Sequence, residues 1–420
     1  MVASADHHEV VVVGAGLAGL ACARRLREGG REVVVLEAGD AVGGRVRTDE
    51  VDGFLLDRGF QVLLTGYPAA RRWFDYDGLE MRAFSPGVRI RHRGRFRRLA
   101  DPFQAPVAGA ASAFSPVATL VDGLRLLAWR RSVAGPPGPT VAARPQVATS
   151  TLLAERGFSG SITTSFFRPF LAGTFFDPEM ATSSRVTELV FRSFFTGEVA
   201  VPARGMQQLP EQLAAGLPAA VVQLGAEVTA VRPGEVAVAG GASVRAEHVV
   251  VATEGPAAAR LLGGRLPGVV APGRGTTTLY YRAERSPVGE PDLVLDGDDG
   301  GPVNNLAVMS DVAPAYAPPG QALVSVSTIG VPEEDDVELD RAVRAQLAGW
   351  YGPVVHDWGL IAAYRIPYAQ PRQNVEDLPL LAREIAAGDG LWVCGDHRDT
   401  GSIQGALVSG RRTADAILAG

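Results

Sequence analysis

Val10-Val11-Val12-Val13-Gly14-Ala15-Gly16-Leu17-Ala18-Gly19-Leu20-Ala21-Cys22 is the stretch that decides the fold. Four consecutive β-branched residues read as a strand buried on both faces, as in a parallel sheet. Leu17, Leu20, Ala21 and Arg24 to Leu26 continue at helical spacing, and Gly29-Gly30 closes the helix. Val33 to Leu36 is a second buried strand, which completes a βαβ unit. Gly14, Gly16 and Gly19 fit the turn between strand and helix. The first allows the tight turn, the second lets a pyrophosphate approach the backbone, and the third permits close helix–strand packing. Glu37 ends the second strand about twenty residues on, where a carboxylate accepts ribose hydroxyls and disfavours a 2′-phosphate. NADP is thereby disfavoured, while NAD and FAD stay open.

The next motif decides between them. Gly43-Gly44-Arg45-Val46-Arg47-Thr48 follows Glu37 after a short loop. Two glycines and an arginine so near the ribose site suit a second pass of the chain over a diphosphate, with Arg45 neutralising it. NAD dehydrogenases have no need of that pass. A third motif lies near the C-terminus, Val393-Cys394-Gly395-Asp396-His397-Arg398-Asp399-Thr400-Gly401-Ser402-Ile403. Here a buried strand ends in Gly395-Asp396, whose carboxylate suits a ribityl hydroxyl. A helix beginning at Ser402 aims its positive end at the same place, where it would stabilise a reduced flavin.

Composition narrows the rest. The chain has 420 residues, 46% hydrophobic and 20% charged, an ordinary globular balance. That length holds two cores, or one with a large insertion. A net charge of −6 gives no footprint for nucleic acid. All forty basic residues are arginine, which excludes a Schiff-base, P-loop or general-base lysine. Two cysteines cannot build a disulfide framework. With no basic secretory start and no apolar run of the ~20 residues that span a bilayer, a cytoplasmic protein is expected, without an integral membrane segment. No His or Cys spacing suggests a metal.

Along the chain, strand-then-helix grammar appears at the start, again near 221–253, and at the C-terminus. A hairpin turning at Asp52-Gly53 is expected within 48–64, helices over 102–131 and 150–196, and a strand-rich stretch over 276–330. Short strands are expected at Ser243–Arg245 and at His248–Ala252. The fold class is thus α/β, a discontinuous Rossmann-type domain (1–66, 200–275 and 385–420) interrupted by a substrate domain of mixed sheet and helices (67–199 and 276–384).

Taken together, GAGLAGL, LEAGDAVGGRVRT and CGDHRDTGSIQGALVSGRRTADAIL resemble the flavin amine oxidase superfamily, which includes amine oxidases, protoporphyrinogen oxidase and phytoene-type carotenoid desaturases. LDRGFQVLLTGYP, VPARGMQQLPEQLA, GAEVTAV and HVVVAT fit the same pattern. The resemblance implies non-covalent FAD. Gly14, Gly16 and Gly19, with Leu17 and Ala18, would line the pyrophosphate, and Glu37 with Ala38 the adenosine ribose. Gly44 and Arg45 would hold the diphosphate and ribityl region, Val228 the adenine edge, and Gly395-Asp396 the ribityl or diphosphate. Gly59, Phe60 and Gln61, and Gly205-Met206, would lie near the isoalloxazine, with Ser402 and the Ile403 N–H at flavin O2.

The chain departs from the amine-oxidising branch in lacking the lysine set against flavin N5, and in carrying Ser402 where a cage aromatic often stands. GSIQGALVSG is closer to the desaturase and porphyrinogen-oxidase branches. The expected activity is dehydrogenation of a largely apolar small molecule by hydride transfer to flavin N5. Amine oxidation, redox-neutral double-bond isomerisation and a flavin-binding scaffold are the alternatives. Oxygen and quinone both stand as electron acceptors.

Among candidates for chemistry, Tyr368, His397 and Gln61 are catalytic options, with packing an equal reading for each. Eight of the sixteen phenylalanines fall in 166–195; they suit an apolar pocket, though core packing is favoured for most. Arg89, Arg91, Arg93, Arg95 and Arg97 alternate, so that a hairpin would gather them on one basic face, solvated or turned to a carboxylated substrate or an anionic membrane surface.

Overall fold

A computed structural model of the chain describes residues 7–100, 115–268, 270, 272–377 and 381–420. β1 (His7–Val13), α1 (Leu17–Glu28) and β2 (Val33–Leu36) form the expected unit, with β1 and β2 parallel from Val10↔Val33 to Val13↔Leu36. Six strands of the eight-stranded sheet they start run in the order Val222–Gln223, β2, β1, Ser243–Val251, Glu235–Val238, Val228–Arg232, and the other two, Leu391–Val393 and Ala386–Gly388, branch from Ser243–Val251. Successive valines point to opposite faces. Val10 and Val12 pack with α1 and the C-terminal helix Ile403–Ala419, while Val11 and Val13 meet Ala258 and Leu262 of the helix Gly255–Leu262.

One strand differs from its sequence reading. Ser243–Val251 is a single nine-residue strand. Its first residues pair antiparallel with Glu235–Ala237, and Val249–Val251 pair parallel with Leu391–Val393. Burial switches from alternating to continuous along it, following the change of partners, and this switch makes one strand look like two. Leu391–Val393 thereby enters the nucleotide sheet beside the strand that flanks β1.

The second sheet has seven strands, in the order Gly359–Pro371, Gly273–Ala283, Ala322–Ile329, Asn305–Val308, Leu293–Asp296, Gly87–His92, Arg95–Ala100. Helices Leu120–Ala134 and Ser184–Thr196 lie in the intervening chain; residues 102–114 of the expected helical stretch fall outside the described residues. The capping box of Thr119 with Asp122 starts the first of these helices. Most phenylalanines of 166–195 serve this packing. Trp129 lies 4.5 Å from Phe191 and 6.0 Å from Phe167 between ring centroids, and Phe167, Phe175 and Phe191 are buried.

The arginine hairpin corrects its expectation. Arg93 and Gly94 form a two-residue turn, both with positive φ, which pairs Ile90 with Arg97 and His92 with Arg95. Arg95 and Arg97 therefore share the face of buried Ile90 and His92, opposite to Arg89 and Arg91. The missing factor was the parity of the turn: with two loop residues, positions of odd number change face across it. Arg89 is also neutralised, its Nη2 lying 2.9 Å from Asp292, and Arg98 pairs with Glu290 at 2.8 Å.

Among the described residues, no helix is long and apolar enough to cross a membrane, and no group of three or more His, Cys, Asp and Glu could hold a metal ion. Cys22 and Cys394 are buried free thiols.

Candidate active site

The first motif sits at the carboxyl end of β1, where ligands of open α/β sheets bind. Gly14 turns with φ +105°, and its N–H donates to Leu36 O at 2.8 Å. Gly19 explains the third position of the motif: a β-carbon there would run into the Gly14 carbonyl. Gly16 caps α1 without a side chain, leaving the first-turn amides to a ligand. Glu37 is half-buried and anchored. Its Oε2 accepts from Ala15 N–H at 2.7 Å and its Oε1 from Gly39 N–H at 2.8 Å. Each oxygen keeps further acceptor capacity. The strand opened by Val228 follows directly, since Ala226 N–H donates to the Glu37 carbonyl at 2.8 Å. Ala38, by contrast, is exposed.

The second motif is laid on the first. Gly43 N–H donates to Ala15 O at 2.9 Å, and Gly16 and Gly43 form a parallel bridge. A β-carbon on Gly44 would lie 3.4 Å from the Gly16 Cα. Arg45 then spans to the third motif, with Nη2 2.7 Å from Asp396 Oδ1 and Nη1 donating to Ala369 O at 2.7 Å. The guanidinium also faces the Tyr368 ring, 5.8 Å from its centroid. Gln61 supports this turn, its Nε2 donating to the carbonyls of Arg45 at 2.8 Å and Arg58 at 3.0 Å. Those contacts tie the Gln61 amide to the turn. Beside it, Phe60 N–H reaches Thr278 Oγ1 at 3.3 Å, and a β-carbon on Gly59 would lie 2.7 Å from Ile366 of the seven-stranded sheet.

The third motif closes the site. Gly395 N–H donates to Ser409 Oγ at 3.1 Å, and Asp396 opens a short 3₁₀ turn to Arg398. Ser402 is the N-cap of the helix Ile403–Ala419, its hydroxyl accepting from Gly405 N–H at 3.1 Å. Ile403 is thus the first helical residue, whose N–H has no intrahelical acceptor. Gly410 lets this helix lie directly on α1, because a β-carbon would meet the Ala18 carbonyl.

Two of the catalytic candidates, His397 and Tyr368, sit in buried surroundings. His397 is buried, and burial pushes its imidazole down to about 3, with Arg398, Arg45 and Arg383 acting in the same direction and Asp396 against them. It is therefore neutral near pH 7. Tyr368 is held with its hydroxyl buried, and that burial raises its ionisation well above the ordinary phenol range.

The fit of a dinucleotide flavin is testable on polar satisfaction. Buried polar atoms are nearly always partnered, yet Thr253 Oγ1, Tyr368 OH and both ring nitrogens of His397 have no hydrogen-bond partner, and Asp396 Oδ1 has the Arg45 ion pair and a longer 4.0 Å approach of His397 Nδ1. Thr253, Asp396 and His397 follow the adjacent parallel strands Ser243–Val251 and Leu391–Val393, beside Arg45 and its Tyr368 neighbour. An ordered polar ligand at this edge, together with the Gly14–Gly16–Gly44 cradle, fits the residues present.

A family model described as flavin containing amine oxidoreductase matches residues 17–418. The chain belongs to this family. The family is one of flavin-containing oxidoreductases. Similarity to a coproporphyrinogen III oxidase from Propionibacterium freudenreichii subsp. freudenreichii is 38% identity over 97 residues, 22% of this chain and 18% of that protein. A putrescine oxidase from Kocuria rosea is 39% identical over 103 residues, 24% of this chain and 19% of that protein. These alignments span under a fifth of the relatives' lengths. A solved oxidoreductase structure from Methanosarcina mazei shares the fold at TM-score 0.75 and 17% identity, covering 97% of this chain and 100% of that one.

The sequence reading gave no individual role to several residues that build this family member's site. Asp57, Thr48, Tyr280 and Tyr316 form a buried network behind the second motif, and Ser409 and Gly410 seat the C-terminal helix. Thr48, Asp57, Ser409 and Gly410 stand within the motifs quoted from the sequence, and Asp57 carried a further signal, as a carboxylate in an otherwise apolar strand, Phe54-Leu55-Leu56-Asp57.

Proposed function

We propose that the chain holds FAD non-covalently and dehydrogenates a largely apolar small molecule, in a site whose specificity rests on shape. Residues 1–66, 200–275 and 385–420 form the cofactor part of this reading, and 67–199 with 276–384 the substrate part. The observation that carries it is the charge inventory around Gly59–Gln61. The chain has no lysine, and the nearby ionic groups are taken: Arg45 with Asp396, Arg58 with Asp49, and Asp57 with three donors. Against Gly59 and Phe60 the seven-stranded sheet sets Thr278 and Ile366, and the tyrosines it brings nearby, Tyr280 and Tyr364, bond their hydroxyls to Asp57 and Asp49.

Bound there, FAD supplies a two-electron acceptor for a C–H hydride. The chain's own residues bind and orient it. Glu37 offers its remaining lone pairs to a ribose, the α1 amides and Arg45 meet a diphosphate, and the Ile403 N–H with its helix dipole favours negative charge at the flavin pyrimidine. Ser402, committed to its cap, forms no aromatic wall for an amine.

Purified protein is expected to release intact FAD on denaturation; FMN, NAD or a flavin left attached to the chain contradicts the proposal. Anaerobic titration with polyenes, porphyrinogens and simple amines tests the substrate class. Bleaching of the flavin by the first two classes, and not by amines, is the expected outcome. Rapid reduction by a simple amine overturns it.

A further inference from the structure

Asp57 lies at the end of the strand Phe54–Asp57, which pairs with Thr48–Val51 immediately after the Gly43–Arg45 turn. It is 1% exposed, an unusual burial for a carboxyl without a cationic partner. Three elements satisfy it. Thr48 donates to Oδ1 at 2.6 Å, Met206 N–H to Oδ1 at 2.9 Å, and Tyr316 OH to Oδ2 at 2.8 Å. Tyr280, from the seven-stranded sheet, donates to the Asp57 carbonyl at 2.8 Å. The other ionisable group turned toward it is Tyr364, whose hydroxyl bonds Asp49, the partner of Arg58.

The contacts continue on both sides. Thr48 Oγ1 also accepts from Gln207 N–H at 3.0 Å, and Gln207 Nε2 donates to Val42 O at 2.9 Å, at the start of the glycine turn. Gly205 has φ +92°, and a β-carbon there would lie 2.6 Å from Thr48 Oγ1, so the 205–207 loop is fitted closely onto the hairpin. One carboxyl therefore joins the turn that crosses the first motif, the 205–207 loop and the tyrosines on the substrate side.

We propose that Asp57 is a positioning residue that locks the Gly43–Arg45 turn to the seven-stranded sheet, so that FAD affinity depends on contacts made on the substrate side of the molecule. A partner such as Tyr316, in the short turn Pro314–Tyr316, then influences the cofactor without touching it. The inference rests on the reading that the Gly43–Arg45 turn holds FAD.

The test is the FAD dissociation constant of refilled apoprotein, followed by flavin fluorescence, for Asp57→Ala, Asp57→Asn, Tyr316→Phe and Glu37→Ala. Loss of one hydrogen bond to a buried carboxyl gives roughly tenfold weaker FAD binding in Tyr316→Phe, and more in Asp57→Ala. Asp57→Asn restores affinity to within about threefold, since the amide oxygen still accepts from Thr48 and Met206 and its NH₂ can donate to the Tyr316 oxygen. Affinities of Tyr316→Phe and Asp57→Ala within twofold of wild type, with only the melting temperature lowered, overturn the inference. Should Asp57→Ala not fold, Tyr316→Phe decides alone. If Glu37→Ala also leaves affinity unchanged, the placement of the cofactor itself is what fails.

Discussion

Replacing Glu37 by alanine removes two kinds of interaction, and they can be measured apart. In the protein without cofactor, the carboxylate accepts from the Ala15 and Gly39 amides at 2.7 and 2.8 Å. Hydrogen bonds to a charged group contribute about 1.5–3 kcal/mol each when buried. Glu37 is half-buried, and water replaces part of what is lost, so about 2–3 kcal/mol for the pair is the reasonable sum. On the proposed reading the remaining lone pairs serve the ribose, which would add about 1–3 kcal/mol to cofactor binding, or roughly 5- to 150-fold in affinity. Urea unfolding of the apoprotein reads the first quantity, and a fluorescence titration with FAD the second. Glu37→Gln divides them further. Its amide oxygen keeps one backbone bond, while its NH₂ faces the other N–H donor to donor, and about half of the apoprotein loss returns. An apoprotein loss below about 0.5 kcal/mol in Glu37→Ala would refute the anchoring seen here, and unchanged FAD affinity would refute the ribose role.

Three further outcomes follow from the packing and the buried charges. Gly410→Val is expected to abolish stable FAD binding, because its side chain meets the Ala18 carbonyl; holoprotein of normal flavin content on purification contradicts this. Ser402→Ala removes the acceptor for Gly405 N–H and should lower stability in urea by about 1 kcal/mol, an effect absent if the cap does not form. Asp57 makes stability fall with pH. Burial raises its folded value to about 6, the three donors pulling the other way, whereas the unfolded value is ~3.9. Its contribution is full below ~3.9 and is lost as pH rises through about 6, amounting to about 3 kcal/mol. The stability advantage of wild type over Asp57→Asn should shrink by that amount between pH 4 and pH 8; a constant difference is incompatible with it.

What the sequence disclosed was mostly local. Gly14, Gly16, Gly19 and Glu37 stand in one βαβ unit, where spacing alone dictates geometry, and the Asp52-Gly53 turn fixed its own hairpin. The arginine hairpin was legible as a hairpin, but its faces depended on turn length, which alternation does not reveal. The strand Ser243–Val251 was split in two because its neighbours change midway, and neighbours are a tertiary property. Asp57 shows the same limit more sharply. Its three partners, Thr48, Met206 and Tyr316, come from well-separated parts of the chain, and only their convergence turns a polar residue in an apolar strand into a structural joint. Gly410 looked like any small residue in a helix until α1 was found against it.

The placement of Leu391–Val393 in the nucleotide sheet, and of the helix Ile403–Ala419 against α1, has a consequence for biogenesis. Their partners, Ser243–Val251 and α1, leave the ribosome much earlier, since synthesis delivers the N-terminal part first. Until the late segments arrive, the edge of Ser243–Val251 that they cover lacks its pairing strand from Val249 to Val251, and the apolar face of α1 lacks its covering helix. Joining them closes a loop of about a third of the chain for the strand pair and nearly the whole chain for the helix on α1, a step that is slow for non-local pairings. The half-assembled sheet, with this edge unpaired, is therefore the stage most open to aggregation.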